Sequence, residues 1–213
     1  MRRFFIMTGL LLLCFVIGSA AWYLTRIYPK KGPHITRHTT DVNTSILKKL
    51  DSKAAALAAY AKQNNYNTQV CFMVDMSVES GKDRFFVYDL KKDSVLDAGL
   101  VTHGRCNEEW LNGRKYGNEI GCGCTSLGKY RVGNPYKGKF GLAYKLHGLD
   151  NTNNNAFKRF VVLHSHGCVP DKEVAPYPIC QSDGCPTVSA PYLQKLAHIL
   201  DASDKPILLW IYE

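Results

Sequence analysis

Between Thr44 and Asn64 the apolar positions Ile46, Leu47, Leu50, Ala54, Leu57 and Ala58 recur at near-helical spacing through an alanine-rich stretch. The spacing predicts a helix over 44–65, capped by Thr44 or Ser45 and ended by the polar run Asn64-Asn65-Tyr66-Asn67. From Gln69 the pattern shortens. Gln69–Asp75 and Asp83–Leu90 are strand-like runs joined by a turn at Glu79-Ser80-Gly81-Lys82, and Leu90-Lys91-Lys92-Asp93 turns into a third at Val95–Thr102. Further strands are expected at Lys129–Val132, Leu142–Leu146, Phe160–Leu163 and Pro206–Tyr212. Glycine-rich connections fill the interval from Gly104 to Gly128, and Ala190–Ala202 reads as an amphipathic helix. Short, closely spaced strands with few helices predict a mainly β, sandwich-like core over 69–213 with peripheral helices.

The N-terminus has a different texture. Arg2-Arg3 precedes an uncharged run, Phe4–Thr25, followed by Arg26, Lys30 and Lys31. The run is about as long as one helix needs to cross a hydrocarbon core. Trp22 and Tyr23 suit a membrane interface, which favours an uncleaved signal anchor over 1–26. Gly18-Ser19-Ala20-Ala21 supplies the small residues of a signal-peptidase site, so a cleaved signal peptide stands beside it. Cys14 lacks the small residue expected just before a lipid-anchored cysteine. Residues 27–43, polar and basic with two prolines and a glycine, read as a linker. On either reading the remainder lies in the periplasm or on the extracytoplasmic face, held at the inner or cytoplasmic membrane if the anchor stays.

That compartment makes the composition readable. The 213 residues are 46% hydrophobic, enough for a packed core beyond the apolar segment. A net charge of +9 is spread along the chain without an aromatic-interleaved basic motif, which argues against nucleic acid as a partner. An anionic envelope polymer fits better, though a basic surface needs no partner at all. Seven cysteines follow the apolar segment: Cys71, Cys106, Cys122, Cys124, Cys168, Cys180 and Cys185. An oxidising compartment permits disulfides, and an odd count leaves at least one thiol unpaired, with room for three pairs. Cys71, in an apolar run, reads equally as a small buried hydrophobe.

Candidate chemistry concentrates in Val161–Val188. An apolar run ends in His164-Ser165, and a tight turn Ser182-Asp183-Gly184-Cys185-Pro186 closes the segment. A thiol beside an imidazole is the minimal nucleophilic unit. Gly184 permits a sharp turn whose backbone N–H groups are expected to face an oxyanion, and Pro186 fixes the chain beyond. Read from the residues alone, Cys185 is equally half of a loop disulfide. His166 competes with His164 for the role of base, and its plain reading is an exposed loop histidine. Cys122, Cys124, Cys168, Cys180 and the two histidines are zinc-ligand types, but Cys122-x-Cys124 is not a standard Cys-x2-Cys pair and disulfides compete. No metal and no cofactor is expected.

The order and spacing of these pieces resemble YkuD-like L,D-transpeptidases from about Gln69 onward. The resemblance rests on Gly104, Thr125–Arg131, Tyr136–Leu142, Leu146–Leu149 and Ser182–Val188, and is nearest to the branch with a Ser-x-Gly-Cys-Pro motif. It implies a β-rich catalytic domain over 44–213 acting on peptidoglycan stem peptides. It also implies Cys185 as nucleophile, His164 as base, Ser165 as the residue whose carbonyl holds the imidazole tautomer, and Gly184 in the catalytic turn. By the same likeness His103, Gly104, Ser126, Ser182 and His166 are expected to line the substrate cleft, with Tyr130 near it. Gln181 departs from the arginine that this branch usually carries before the serine. Three outcomes remain: transfer of an acyl group to an amine, its hydrolysis by an L,D-carboxypeptidase, and a non-catalytic wall-binding module.

Overall fold

The computed structural model describes residues 18–19 and 44–213. The chain separates into two units, Met1–Thr36 and Arg37–Glu213. In the first, Gly18 and Ser19 are helical; the rest of the expected anchor over 1–26 and the linker over 27–43 lie outside the described residues. Among the described residues no helix is long and apolar enough to cross a membrane.

Helix α1, Thr44–Gln63, buries Leu50, Ala54, Leu57 and Ala61, one stripe at helical spacing. Strands β1 (Val70–Asp75), β2 (Phe85–Asp89) and β3 (Ser94–Gly99) follow. Then come β4 (Gly128–Gly138), β5 (Gly141–Gly148), β6 (Val162–Ser165) and β7 (Thr187–Val188), helix α2 (Ala190–Asp201) and β8 (Leu208–Tyr212). All eight strands belong to one sheet, in the order β3-β2-β1-β8-β4-β5-β6-β7. The β1–β8 and β6–β7 pairs are parallel and the others antiparallel.

The sandwich-like expectation is therefore corrected: one sheet carries a core on each face, with α2 packed into one and α1 into the other. Phe72 and Val74 of β1, Tyr130 and Val132 of β4, Tyr144 of β5 and Leu163 of β6 meet in one cluster with Leu193 and Leu196 of α2. Alternate residues of the central strands, among them Cys71, Met73, Phe86, Tyr88 and Leu208, join the α1 stripe on the opposite face. Strands β1, β2 and β8 are thus buried on both faces. That is why their sequences are continuously apolar rather than alternating.

Two details aim the site. Strand β4 runs past Val132, where the expected strand ended, because its register shifts between Val132 and Pro135 and the pairing to β8 stops at Arg131. Pro135 thus lies where no β8 partner needs its missing N–H. The β4–β5 hairpin closes at Gly138↔Gly141, with Lys139 and Phe140 at its tip. Gly141 at φ +85° takes the left-handed turn. Strand β7, not expected from sequence, has two residues, and its parallel pairing sets His164 opposite Thr187. Ser189 then caps α2, accepting the Tyr192 N–H at 3.3 Å.

Candidate active site

The turn carrying Cys185 is shaped by its own serine. Ser182 Oγ accepts the Gly184 N–H (3.2 Å) and donates to the Cys185 carbonyl (2.7 Å). The Gly184 N–H is therefore engaged within the turn. Gly184 has φ +107°, and a Cβ there would lie 2.6 Å from the Cys124 carbonyl oxygen, so no other residue fits without moving the turn. The Thr102 hydroxyl (3.2 Å) and the Thr187 hydroxyl (3.3 Å) also approach the Cys185 carbonyl.

The thiol points to the loop before β6. Sγ accepts the Val162 N–H at 3.5 Å and donates toward the Phe160 carbonyl at 3.7 Å. Burial, the largest influence, raises the Cys185 thiol above its ordinary value. Asp183 adds to this, while the Val162 N–H and Arg159 oppose it. At neutral pH the resting group is a thiol, so nucleophilic use requires a base.

His164, at the end of β6, sits in the same cleft, about 510 Å³ in volume. Its Nδ1 lies 3.0 Å from the Ser165 carbonyl, an acceptor, so the neutral ring carries its proton on Nδ1 and leaves Nε2 bare. Nε2 meets the Thr187 hydroxyl at 3.1 Å rather than the thiol. The Cys185 carbonyl has two lone pairs, already approached by Ser182 and Thr102, which leaves the Thr187 proton for Nε2. Burial lowers the His164 pKa most and His166 lowers it further, while the Ser165 carbonyl raises it. Phe140, from the hairpin tip, stacks on the imidazole with centroids 4.9 Å apart and rings 16° from parallel.

His166 is also in the cleft, but its Nδ1 accepts the Cys168 N–H at 3.2 Å and its ring meets Phe140 edge-on. Ser182 lines the cleft with Cys185 and Thr187. The remaining expected residues lie elsewhere. Gly104 pairs with Ser182 in an isolated bridge and donates its N–H to Thr125 Oγ1 at 2.9 Å. Ser126 is 1% exposed and does not line the cleft; its hydroxyl donates to the Gly117 carbonyl. Tyr130 is fully buried beneath it, donating to the Ser126 carbonyl at 2.6 Å. His103 lines a neighbouring cavity instead.

Cys106–Cys124 and Cys168–Cys180 are disulfides, and Cys71, Cys122 and Cys185 are free. Three thiols are therefore unpaired among the described residues, in keeping with the odd count, which requires at least one. Cys71 faces α1, where burial pushes its thiol up to about 12, the chemistry of an inert small hydrophobe. Among the described residues no three His, Cys, Asp or Glu side chains are grouped to hold a metal ion.

A family model described as L,D-transpeptidase catalytic domain matches residues 40–212. The chain belongs to that family. Among solved structures it is similar to an Ldtfm–avibactam carbamoyl enzyme (12% identity, TM-score 0.43), over 68% of this chain and 49% of that one. It is also similar to the helical cell shape determining protein Pgp2 from Campylobacter jejuni (11% identity, TM-score 0.42), over 78% of this chain and 55% of that one. A K307A variant of Pgp2 gives 12% identity and a TM-score of 0.41, over 77% of this chain and 56% of that one. The chain thus spans about half the length of these structures. A comparison with curated proteins gives no match.

In this L,D-transpeptidase domain, three residues that the sequence did not flag shape the site. Thr187 owes its place to the two-residue β7, too short to leave a pattern. Arg159, in a polar loop before β6, donates to the carbonyls of Gly117 (3.0 Å) and Cys124 (2.6 Å) and to Ser126 Oγ. It braces the floor of the Cys185 turn. Trp110, about half exposed, forms a cleft wall. Gln181, the family departure, exchanges two 2.8 Å hydrogen bonds with the backbone of Leu111 and so pins the loop that carries Trp110.

Proposed function

We propose that this domain is a peptidoglycan L,D-transpeptidase whose acyl-enzyme forms on Cys185. The supporting observation is an imidazole, His164, with Nε2 bare by tautomer, in one cleft with a thiol that burial keeps protonated. On this reading a donor stem peptide displaces the Thr187 hydroxyl from Nε2, and the ring takes the Cys185 proton. The thiolate attacks the carbonyl of the third stem residue. The C–N bond to the terminal D-alanine breaks, and the imidazolium gives its proton to the leaving amine. An acceptor amine then attacks the thioester, loses a proton to His164 and returns the thiol.

Water as acceptor makes the same enzyme an L,D-carboxypeptidase. Phe140 over His164, with Trp110 also lining the cleft, favours a groove that excludes water and holds a second peptide. We place the domain outside the cytoplasm, tethered through residues 4–25, where the wall polymer is its partner.

The test incubates the purified protein, and its Cys185→Ala variant, with a disaccharide-tetrapeptide, followed by mass spectrometry. Cross-linked dimer from the unsubstituted protein alone is expected. Tripeptide without dimer would change the assignment to carboxypeptidase, and equal inertness of both proteins would leave a wall-binding module.

A further inference from the structure

Next to the Cys185 cleft, behind the shared wall of Trp110 and Gln181, lies a second cavity of about 540 Å³. Its nitrogen donors come from three places in the chain: the guanidiniums of Arg84, just before β2, and Arg114, on the loop pinned by Gln181, and the imidazole of His103 after β3.

Arg84 is wholly buried. Its Nε and Nη2 donate to the Val101 carbonyl (2.9 and 2.8 Å) and Nη1 to the Val78 carbonyl (3.1 Å). Among the described residues no carboxylate forms an ion pair with it. Burial brings its pKa down to about 10, so it remains a cation at neutral pH. Its hydrogen bonds go to backbone carbonyls and His103, and the Asp75 carboxylate acts on it only through its field, so this buried cation faces the cavity without an ion-pair partner.

The same guanidinium sets the state of His103. Nη2 is 3.2 Å from His103 Nδ1, and arginine can only donate, so Nδ1 accepts and the ring proton sits on Nε2. That Nε2–H is buried and has no protein acceptor. Burial first, then Arg84 and Arg114, hold the His103 pKa down to about 4, so the ring is a neutral donor across the physiological range. Arg114 donates through Nη2 to the carbonyls of Ser77 and Val78 (3.0 and 3.1 Å), and its Nη1 reaches Glu213 Oε1 only at 3.4 Å. The other carboxylate lining the cavity, Glu79, is engaged by Lys82 at 3.0 Å. What remains is an unmatched N–H donor beside two guanidiniums, only one of them in an ion pair, a setting that suits an anionic acceptor with two adjacent oxygens.

We propose that this cavity is a carboxylate-binding subsite that takes a free carboxylate of the stem peptide held at Cys185. The assignment rests on the function proposed above. The backbone of Ser182 donates to the His103 carbonyl at 2.9 Å, so the two sites are joined through the catalytic turn itself. The Ser182 hydroxyl lies 2.7 Å from the Cys185 carbonyl, so a single tight turn joins the nucleophile to the residue that bonds His103. Arg114 and His103, which line the cavity, are the groups assigned to the carboxylate, and the unmatched His103 Nε2–H is the donor left for it. Arg84 acts through His103, fixing its tautomer.

The experiment uses the full chain as Cys185→Ala, with the imidazole resonances of His103 followed by NMR. Two probes are titrated: sodium acetate, and the disaccharide-tetrapeptide with its carboxylates free or converted to carboxamides. Acetate and the free-carboxylate muropeptide are expected to shift His103. Amidation is expected to weaken muropeptide binding about tenfold or more, the range of a charge-assisted pair. Arg114→Gln should weaken the free form to the level of the amidated one and leave the amidated one unchanged. Muropeptide turnover by the unsubstituted enzyme, with His103 unmoved by either probe or with Arg114→Gln without effect, would overturn the subsite. Acetate shifting His103 in an enzyme that never turns over muropeptide would keep the subsite and reject the proposed substrate.

Discussion

Cys185 and His164 have opposite electrostatic biases, and both follow from burial: each group is held toward its neutral form. If His164 is the base, it must be neutral to accept a proton. A folded pKa below the ordinary imidazole value of about 6.5 means it is already neutral at pH 6.5. The acid limb of the pH–rate profile should therefore fall below 6.5, and alkylation of Cys185 by iodoacetamide in the free enzyme should keep rising past pH 8.5. An acid limb at 7 or above, or alkylation that levels off near neutrality, would contradict this pairing. Gly184→Ala tests the turn: at φ +107°, with 2.6 Å between the added Cβ and the Cys124 carbonyl, the turn must shift. A displacement of order 1 Å at a nucleophile costs roughly a hundredfold. Turnover should fall by about that factor with the thermal midpoint changed by only a few degrees. Cys185, Gly184 and the His164-Ser165 pair were legible because a turn and a strand end are local features. Thr187 and Arg159 were not, because their places depend on partners 23 and 35 residues away.

At the scale of elements, the apolar pattern carried α1, α2 and most strands, including those buried on both faces, and it missed the two-residue β7 and the way the strands pair. Strands β1 and β8 read as strands, yet nothing local says that they pair in parallel and join two arms of one sheet. The sandwich expectation arose from counting short strands, and one continuous sheet produces the same count. Helix α1 is tied to this sheet by Leu50 and Leu57, both fully buried, and by Lys49, whose Nζ lies 3.0 Å from the buried Asp75 carboxylate. Leu57→Ala leaves a cavity between α1 and Met73 and Phe86 of the same cluster. A loss of about 3 kcal/mol is expected in urea unfolding, with an unchanged slope. A loss under about 1 kcal/mol would mean that α1 packs loosely enough to collapse around the truncation.

Across the whole molecule the two disulfides lie outside the sheet, in the connections from β3 to β4 and from β6 to β7. Those connections build the walls of the Cys185 cleft, where Cys168 and Cys180 are themselves lining residues. The cysteine count in the sequence announced bridges, but it could not assign them, since pairing depends on which loops the sheet order brings together. With loops of 18 and 12 residues, each bridge is expected to contribute about 3 kcal/mol by limiting the unfolded chain. The eight-stranded core, in contrast, rests on packing that reduction leaves in place. Treatment of the full chain with a phosphine reductant should therefore lower the urea midpoint and retain the far-ultraviolet spectrum. It should also raise KM for the disaccharide-tetrapeptide more than it lowers kcat, because the cleft walls loosen while β6 still carries His164. Peptide mapping after alkylation under native, oxidised conditions gives the complementary reading: the partly buried Cys185 and Cys122 should label, and Cys71, under α1, only after unfolding. Labelling of Cys106, Cys124, Cys168 or Cys180 before reduction would refute the bridges, and with them the account of how the cleft walls are held.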